Sequence, residues 1–307
     1  MDLMKVLLII LSLLFSTNAF PVGANIHFSK GITLKNKGKY KEASREFLSA
    51  YRLNPSWTEA VLEAAKALTI ANKRKEASLL LVNYINKTKQ QEDIAKLKKQ
   101  LELITETFYK NATFQLYLDA KHLFKLGKKR IALEKIDIAL KNEGSNVKLL
   151  FLAGKINISM GKKKFAGNYF SKAEKLNPFK SEANWLYAKL LYDLKKFSDS
   201  EGRLLRIDNM KGTEEYTLLL ARSLFHQGKN EEAIKLLTKE SEQYPNHIET
   251  IYLLGEINFI GIKNYWLARK HFLIYKKHCE TMQKVKGNEL YTLTNDFLKK
   301  IESELKT

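Results

Sequence analysis

The most constraining feature of this chain is a sparse pattern that returns at a fixed step. Residues 37 to 55 read KGKYKEASREFLSAYRLNP, and residues 160 to 178 read MGKKKFAGNYFSKAEKLNP. Gly38, Ala43, Phe47, Ala50 and Pro55 thus reappear as Gly161, Ala166, Phe170, Ala173 and Pro178. Aligned on small residues, one column reads Gly31, Ala65, Ala120, Gly154, Ala188, Ala221, Gly255. A second column reads Ala43, Ala77, Ala132, Ala166, Ser200, Ala233 and, one residue late, Ala268. Pro55, Pro178 and Pro245 share a third column at the repeat end. Within unbroken stretches the step is 34 residues, and once 33.

Each column has a physical cause. Antiparallel helices approach to about 8–10 Å only where the contact carries little side chain, which calls for Gly or Ala. The chain must reverse between the two helices, and Gly38, Gly127, Gly161 and Gly228 stand where a helix C-terminus favours positive φ. Pro cannot continue the second helix and so closes the unit. Larger apolar residues fill the remainder; in the repeat over 147–180 these are Leu150, Ala153, Phe165, Phe170 and Leu176.

The pattern resembles the tetratricopeptide repeat family, whose unit is a 34-residue helix–turn–helix with small residues at these columns. The resemblance covers 24–91 and 113–282. It implies an all-α fold, a right-handed superhelical solenoid of helix–turn–helix repeats. Departures from the family pattern are His27, Val61, Asn184 and Thr217 where a large aromatic is usual, Ser200 in the small column, and one extra residue around Gly261-Ile262. The expected division is two repeats over 20–91, an extra helix or joint over 92–112, five repeats over 113–282 and a capping helix over 283–307. Ile94, Leu97, Leu101, Ile104 and Phe108 share one helical face in the joint. Leu290, Leu293, Phe297, Ile301 and Leu305 form the stripe of the cap, whose polar outer face ends a solenoid solubly.

The first residues, MDLMKVLLIILSLLFSTNAF, have the layout of a secretory signal: Lys5, an apolar run Val6–Phe15, then small and polar residues. Cleavage is expected after Ala19, and the ten-residue apolar run is short of the roughly 20 residues a bilayer span needs. The chain is therefore expected in a periplasm or cell envelope, held to a membrane only through an uncleaved signal. Export makes nucleic acid an unexpected partner. The sequons at Asn86, Asn111 and Asn157 matter only in a eukaryotic secretory route.

Charge is the compositional outlier. Lys and Arg number 53, of which 45 are Lys, against 33 Asp and Glu, a net charge of +20. Such an excess fits an anionic partner, and a Lys-rich composition from an AT-rich genome accounts for it equally well. No phosphate-cradling Gly loop, HExxH, GxSxG or Cys pair is present, so no enzyme chemistry and no cofactor is expected. Cys279 is the single cysteine and reads as a buried or idle thiol. His271 and His278 share a helix face about 10 Å apart, too far to share a zinc ion, and no metal site is expected.

The resemblance also implies where a ligand would lie, because repeats of this family line a concave surface with positions near 2, 5, 9 and 12 of each unit. Position 5 in the second array gives Tyr117, Phe151, Trp185, Leu218 and Tyr252; position 12 gives Phe124, Ile158, Tyr192, Phe225 and Phe259. Between them position 9 gives Lys121, Lys155, Lys189, Arg222 and then Glu256. The expected site is a basic stripe flanked by aromatic rails, holding a protein or peptide partner with anionic character. Aromatics at these positions also pack against neighbouring repeats, and the lysines also serve as a solvated face. An acidic polysaccharide is the alternative ligand. The Lys–Asn–Arg carboxylate clamp of some family members is absent, since position 6 holds Leu152, Leu186, Leu219 and Leu253.

Overall fold

The computed structural model describes residues 22–207, 209–283, 285 and 287–306. The expected signal segment therefore lies outside the described residues. Every regular element among them is helical. The chain divides into two compact units, residues 1–178 and 179–307.

Among the described residues the first unit holds nine helices: α1 (Val22–Asn36), α2 (Tyr40–Leu53), α3 (Thr58–Ile70), α4 (Arg74–Lys87), α5 (Gln91–Glu106), α6 (Asn111–Lys125), α7 (Lys129–Asn142), α8 (Val147–Ser159) and α9 (Lys163–Leu176). The second holds α10 (Ser181–Asp193), α11 (Phe197–Leu204), α12 (Glu214–Phe225), α13 (Asn230–Gln243), α14 (Ile248–Glu256), a π-helical turn (Ile257–Ile262), α15 (Tyr265–Thr281) and α16 (Glu289–Glu304). Apart from α5 and α16, the helices pair as hairpins, each packed on the next along the chain within its unit.

The small columns do what their spacing predicts, with a complementarity that spacing alone does not show. At Gly31, Gly154 and Gly255 a Cβ would stand 2.6, 2.3 and 2.8 Å from the rings of Phe47, Phe170 and Phe272. In these three repeats the second helix presses a Phe ring directly on the backbone of the first. Where the column holds Ala120, Ala188 or Ala221, the residue sixteen further on is Ile136, Leu204 or Leu237, in the same buried cluster. A methyl group on one helix is thus matched by a smaller side chain on the other, which keeps packing close to constant.

The turn column behaves as expected. Gly38, Gly127, Gly161 and Gly228 have φ of 71°, 74°, 73° and 76°. Asn72, Lys195 and Lys263 take the same left-handed turn without glycine, at φ of 62°, 58° and 59°. The extra residue of the last repeat is absorbed by the π-helical turn, which fits one more residue per turn than α and ends at Lys263. Ser200 in the small column is fully buried, and its hydroxyl donates to the Ala188 carbonyl at 2.9 Å.

Two expectations need correction. Phe165 is 59% exposed rather than part of the filling, because the buried face of α9 is made by Ala166, Phe170, Ala173 and Leu176. In α16 the buried face is Thr294, Leu298 and Ile301, with Leu290 and Phe297 packed alongside, while Leu293 and Leu305 are exposed. Both stripes share one side of the helix, and the packing axis is rotated toward i+4 and i+8. Asn157, one of the sequons, is buried with its amide on the Ala153 carbonyl.

Candidate functional site

Position 9 of each repeat falls one turn after position 5 on the same helix, so a cation there can lie back over the preceding ring. In the first unit Lys155 Nζ stands 5.5 Å from the centre of the Phe151 ring, which itself packs on Phe170 at 5.7 Å. Tyr117 is half-buried against Phe108 at 5.1 Å, and Phe124 is half-buried on the cluster built around Ala120 and Ile136. Lys121 is exposed between them. The α6 and α8 faces thus carry two lysines among half-buried rings.

The second unit repeats the device. Lys189 Nζ stands 5.5 Å from the Trp185 ring centre, and Trp185 packs partly into the core. Tyr192 packs against Phe197 at 5.4 Å, and its hydroxyl meets His226 Nε2 at 3.1 Å. His226 stacks on Phe197 at 4.4 Å and 20° and lies 5.6 Å from Phe225. Phe197 and His226 are wall residues that the position count misses. The signal was present as an aromatic at the head of α11 and a His directly after position 12.

Burial sets the electrostatics here, with the Arg222 charge acting second. Burial lowers the His226 pKa, and the Arg222 and Lys195 charges lower it further, so its imidazole is neutral at pH 7. Burial raises the Tyr192 pKa, with Arg222 opposing. Burial also raises the Glu256 carboxyl, again opposed by Arg222.

The rails do not continue into the last repeat. Tyr252 is only 2% exposed and packs on Tyr275 and Phe272 at 5.3 and 5.7 Å, so it belongs to the core. Phe259 is half-buried against Tyr265 and Phe297 at 5.6 and 5.2 Å. Tyr252 shares its buried cluster with Leu298 and Ile301 of α16. Leu218, expected as the position-5 wall residue of the preceding repeat, is likewise core at 7% exposed, packed with Leu220, Leu253 and Leu254. The predicted residues left on accessible faces of the second unit are Trp185, Lys189, Tyr192, Arg222 and Phe225.

Cys279 is buried, 3.7 Å from the Asn288 amide. Among the described residues no group of three or more His, Cys, Asp or Glu could hold a metal ion, and no helix is long and apolar enough to cross a membrane.

No curated protein matches the chain in sequence. Residues 24–56 match the family model described as tetratricopeptide repeat, and residues 203–273 match one described as anaphase-promoting complex, cyclosome, subunit 3. Among solved structures, MamA 41-end from Desulfovibrio magneticus RS-1 is similar with a TM-score of 0.52 and 16% identity, over 59% of this chain and 100% of that one. A MamA RS-1 double mutant gives a TM-score of 0.52 and 18% identity, over 57% of this chain and 98% of that one. At these identities the likeness concerns the fold. Repeat columns, hairpin packing and the two family models together support the tetratricopeptide repeat family, directly so over residues 24–56.

Proposed function

We propose that this chain is a noncovalent binding scaffold, taking extended peptide segments of a protein partner along the position-5, 9 and 12 faces of each of its units. The observation that carries the reading is the recurrence of a lysine laid over a ring at Lys155–Phe151 and Lys189–Trp185. Half-buried rings supply apolar contact area, and a cation held at each ring supplies attraction for carboxylates. The preferred peptide is therefore acidic with interspersed apolar residues. The work such a surface does is recognition rather than turnover.

The reading includes the cell envelope as the setting, resting on the signal-like segment before Ala19. N-terminal sequencing of the protein purified from its own cells checks this: a chain beginning at Phe20 agrees, and one beginning at Met1 in the cytosol contradicts it.

An array of extended peptides graded in net charge, with a polyuronate as acidic-glycan control, tests the ligand class. Saturable binding of acidic peptides, with basic peptides and polyuronate inert, is the expected result. Binding of polyuronate alone would transfer the surface to acidic polysaccharide.

A further inference from the structure

A cavity of about 380 Å³ opens in the first unit among three connections: residues 72–76, 109–110 and 142–145. None of the rail residues lines it. Its lining includes Lys73, Arg74, Lys75, Glu76, Lys110 and Glu143. Four cations therefore face two carboxylates.

Both carboxylates are already engaged. Lys73 Nζ reaches the two Glu76 oxygens at 2.7 Å each. Glu143 Oε2 accepts from Arg74 Nη2 at 3.0 Å, and its Oε1 accepts from the backbone N–H groups of Tyr109 and Lys110, both at 3.0 Å. Lys75 and Lys110, both exposed, remain as a surplus of two positive charges.

The backbone adds to that surplus. The 14-residue helix α4 begins here, and its Lys73 N-cap supplies no side-chain hydrogen bond. The N–H groups of Arg74, Lys75 and Glu76 are thus the first-turn donors that no carbonyl of their own helix can satisfy. A helix N-terminus in this state favours an anion. Independently, Arg74 is 8% exposed, and its guanidinium stands over the Tyr109 ring at 4.0 Å. Nη2 is occupied by Glu143 and the Thr107 carbonyl, while Nη1 is buried without a hydrogen-bond acceptor.

We propose that this cavity binds a phosphoryl group, with Lys75, Lys110 and the N–H groups opening α4 as its ligands and Arg74 as the buried cation behind them. A dianion matches the surplus of two charges, and a tetrahedral group can accept from backbone and ammonium donors at once. The source is inorganic phosphate or a phosphate monoester.

The test is calorimetric titration of the full chain at constant ionic strength, with inorganic phosphate, O-phosphoserine and succinate in separate runs. Saturable one-site binding of a phosphate probe is expected. Lys75→Gln with Lys110→Gln should weaken it by at least about tenfold, since charge-assisted bonds are the strong ones, and leave the ligand-free melting temperature unchanged. Equal affinity for phosphate and O-phosphoserine identifies free phosphate as sufficient, and tighter O-phosphoserine identifies a monoester. No saturable binding below about 10 mM, a weaker affinity than most small-ligand sites, would overturn the proposal. Succinate bound as well as phosphate, or undiminished binding by the double variant, would overturn it equally.

Discussion

Arg74 and Glu143 lie 69 positions apart in sequence and meet at 3.0 Å, with side chains 8% and 6% exposed. Arg74 opens α4 and Glu143 caps α7, so the pair spans the connection that contains α5. Glu143 also takes the N–H groups of Tyr109 and Lys110, which lead into α6. Where the repeat period breaks, one carboxylate ties the second repeat to the third.

Removing only the carboxylate, as in Glu143→Ala, leaves a buried guanidinium unpaired and two N–H groups without an acceptor. The expected loss is about 3–5 kcal/mol. Replacing both residues, Arg74→Met with Glu143→Met, should cost clearly less, because no buried charge is left. Urea unfolding of the two variants checks the order. Equal losses would mean the pair does not act as a unit.

Gly154 and Phe170 make a second testable pair. Even the methyl group of Gly154→Ala would stand 2.3 Å from the Phe170 ring, so a loss of about 1–3 kcal/mol is expected from overpacking. Phe170→Leu in the same chain should restore much of it, since Ala with Leu or Ile is the combination found at Ala188–Leu204 and Ala120–Ile136. A double-mutant cycle measures the coupling directly. An additive result would mean that the ring and the glycine are not matched.

Tyr252 and Tyr275 give the second unit an alkaline limit. Burial lifts the Tyr275 hydroxyl to about 12 and the Tyr252 hydroxyl well above its ordinary value, with Glu256 adding to the latter. An unfolded tyrosine ionises near pH 10. Both residues therefore hold their protons longer when folded. Their contribution is fully present below about pH 10 and is lost as pH rises toward the folded values. The melting temperature should fall between roughly pH 10 and 12, and Tyr275→Phe should flatten that fall. A variant with the parent's profile would refute this assignment.

The helical hairpins, the positive-φ turns and the inserted residue near Gly261 were all legible in the sequence, because each depends on neighbours at fixed distance along the chain. Three features were not. The Gly–Phe matching at Gly31, Gly154 and Gly255 requires knowing which ring faces which backbone. The Arg74–Glu143 bond depends on where α5 places the flanking repeats, which no local pattern encodes. Tyr252 and Leu218 carry the same position number as Trp185 yet are core, because each is packed into the buried cluster of its own repeat.

The wall itself is tested most directly by fluorescence anisotropy with a labelled acidic peptide and two charge-reversed variants, one in each unit: Lys121→Glu with Lys155→Glu, and Lys189→Glu with Arg222→Glu. Saturable binding by the parent is expected, with the affinity of the substituted unit falling by at least about tenfold in each variant and helicity and melting temperature close to the parent's. Undiminished binding by both folded variants would contradict the proposed wall.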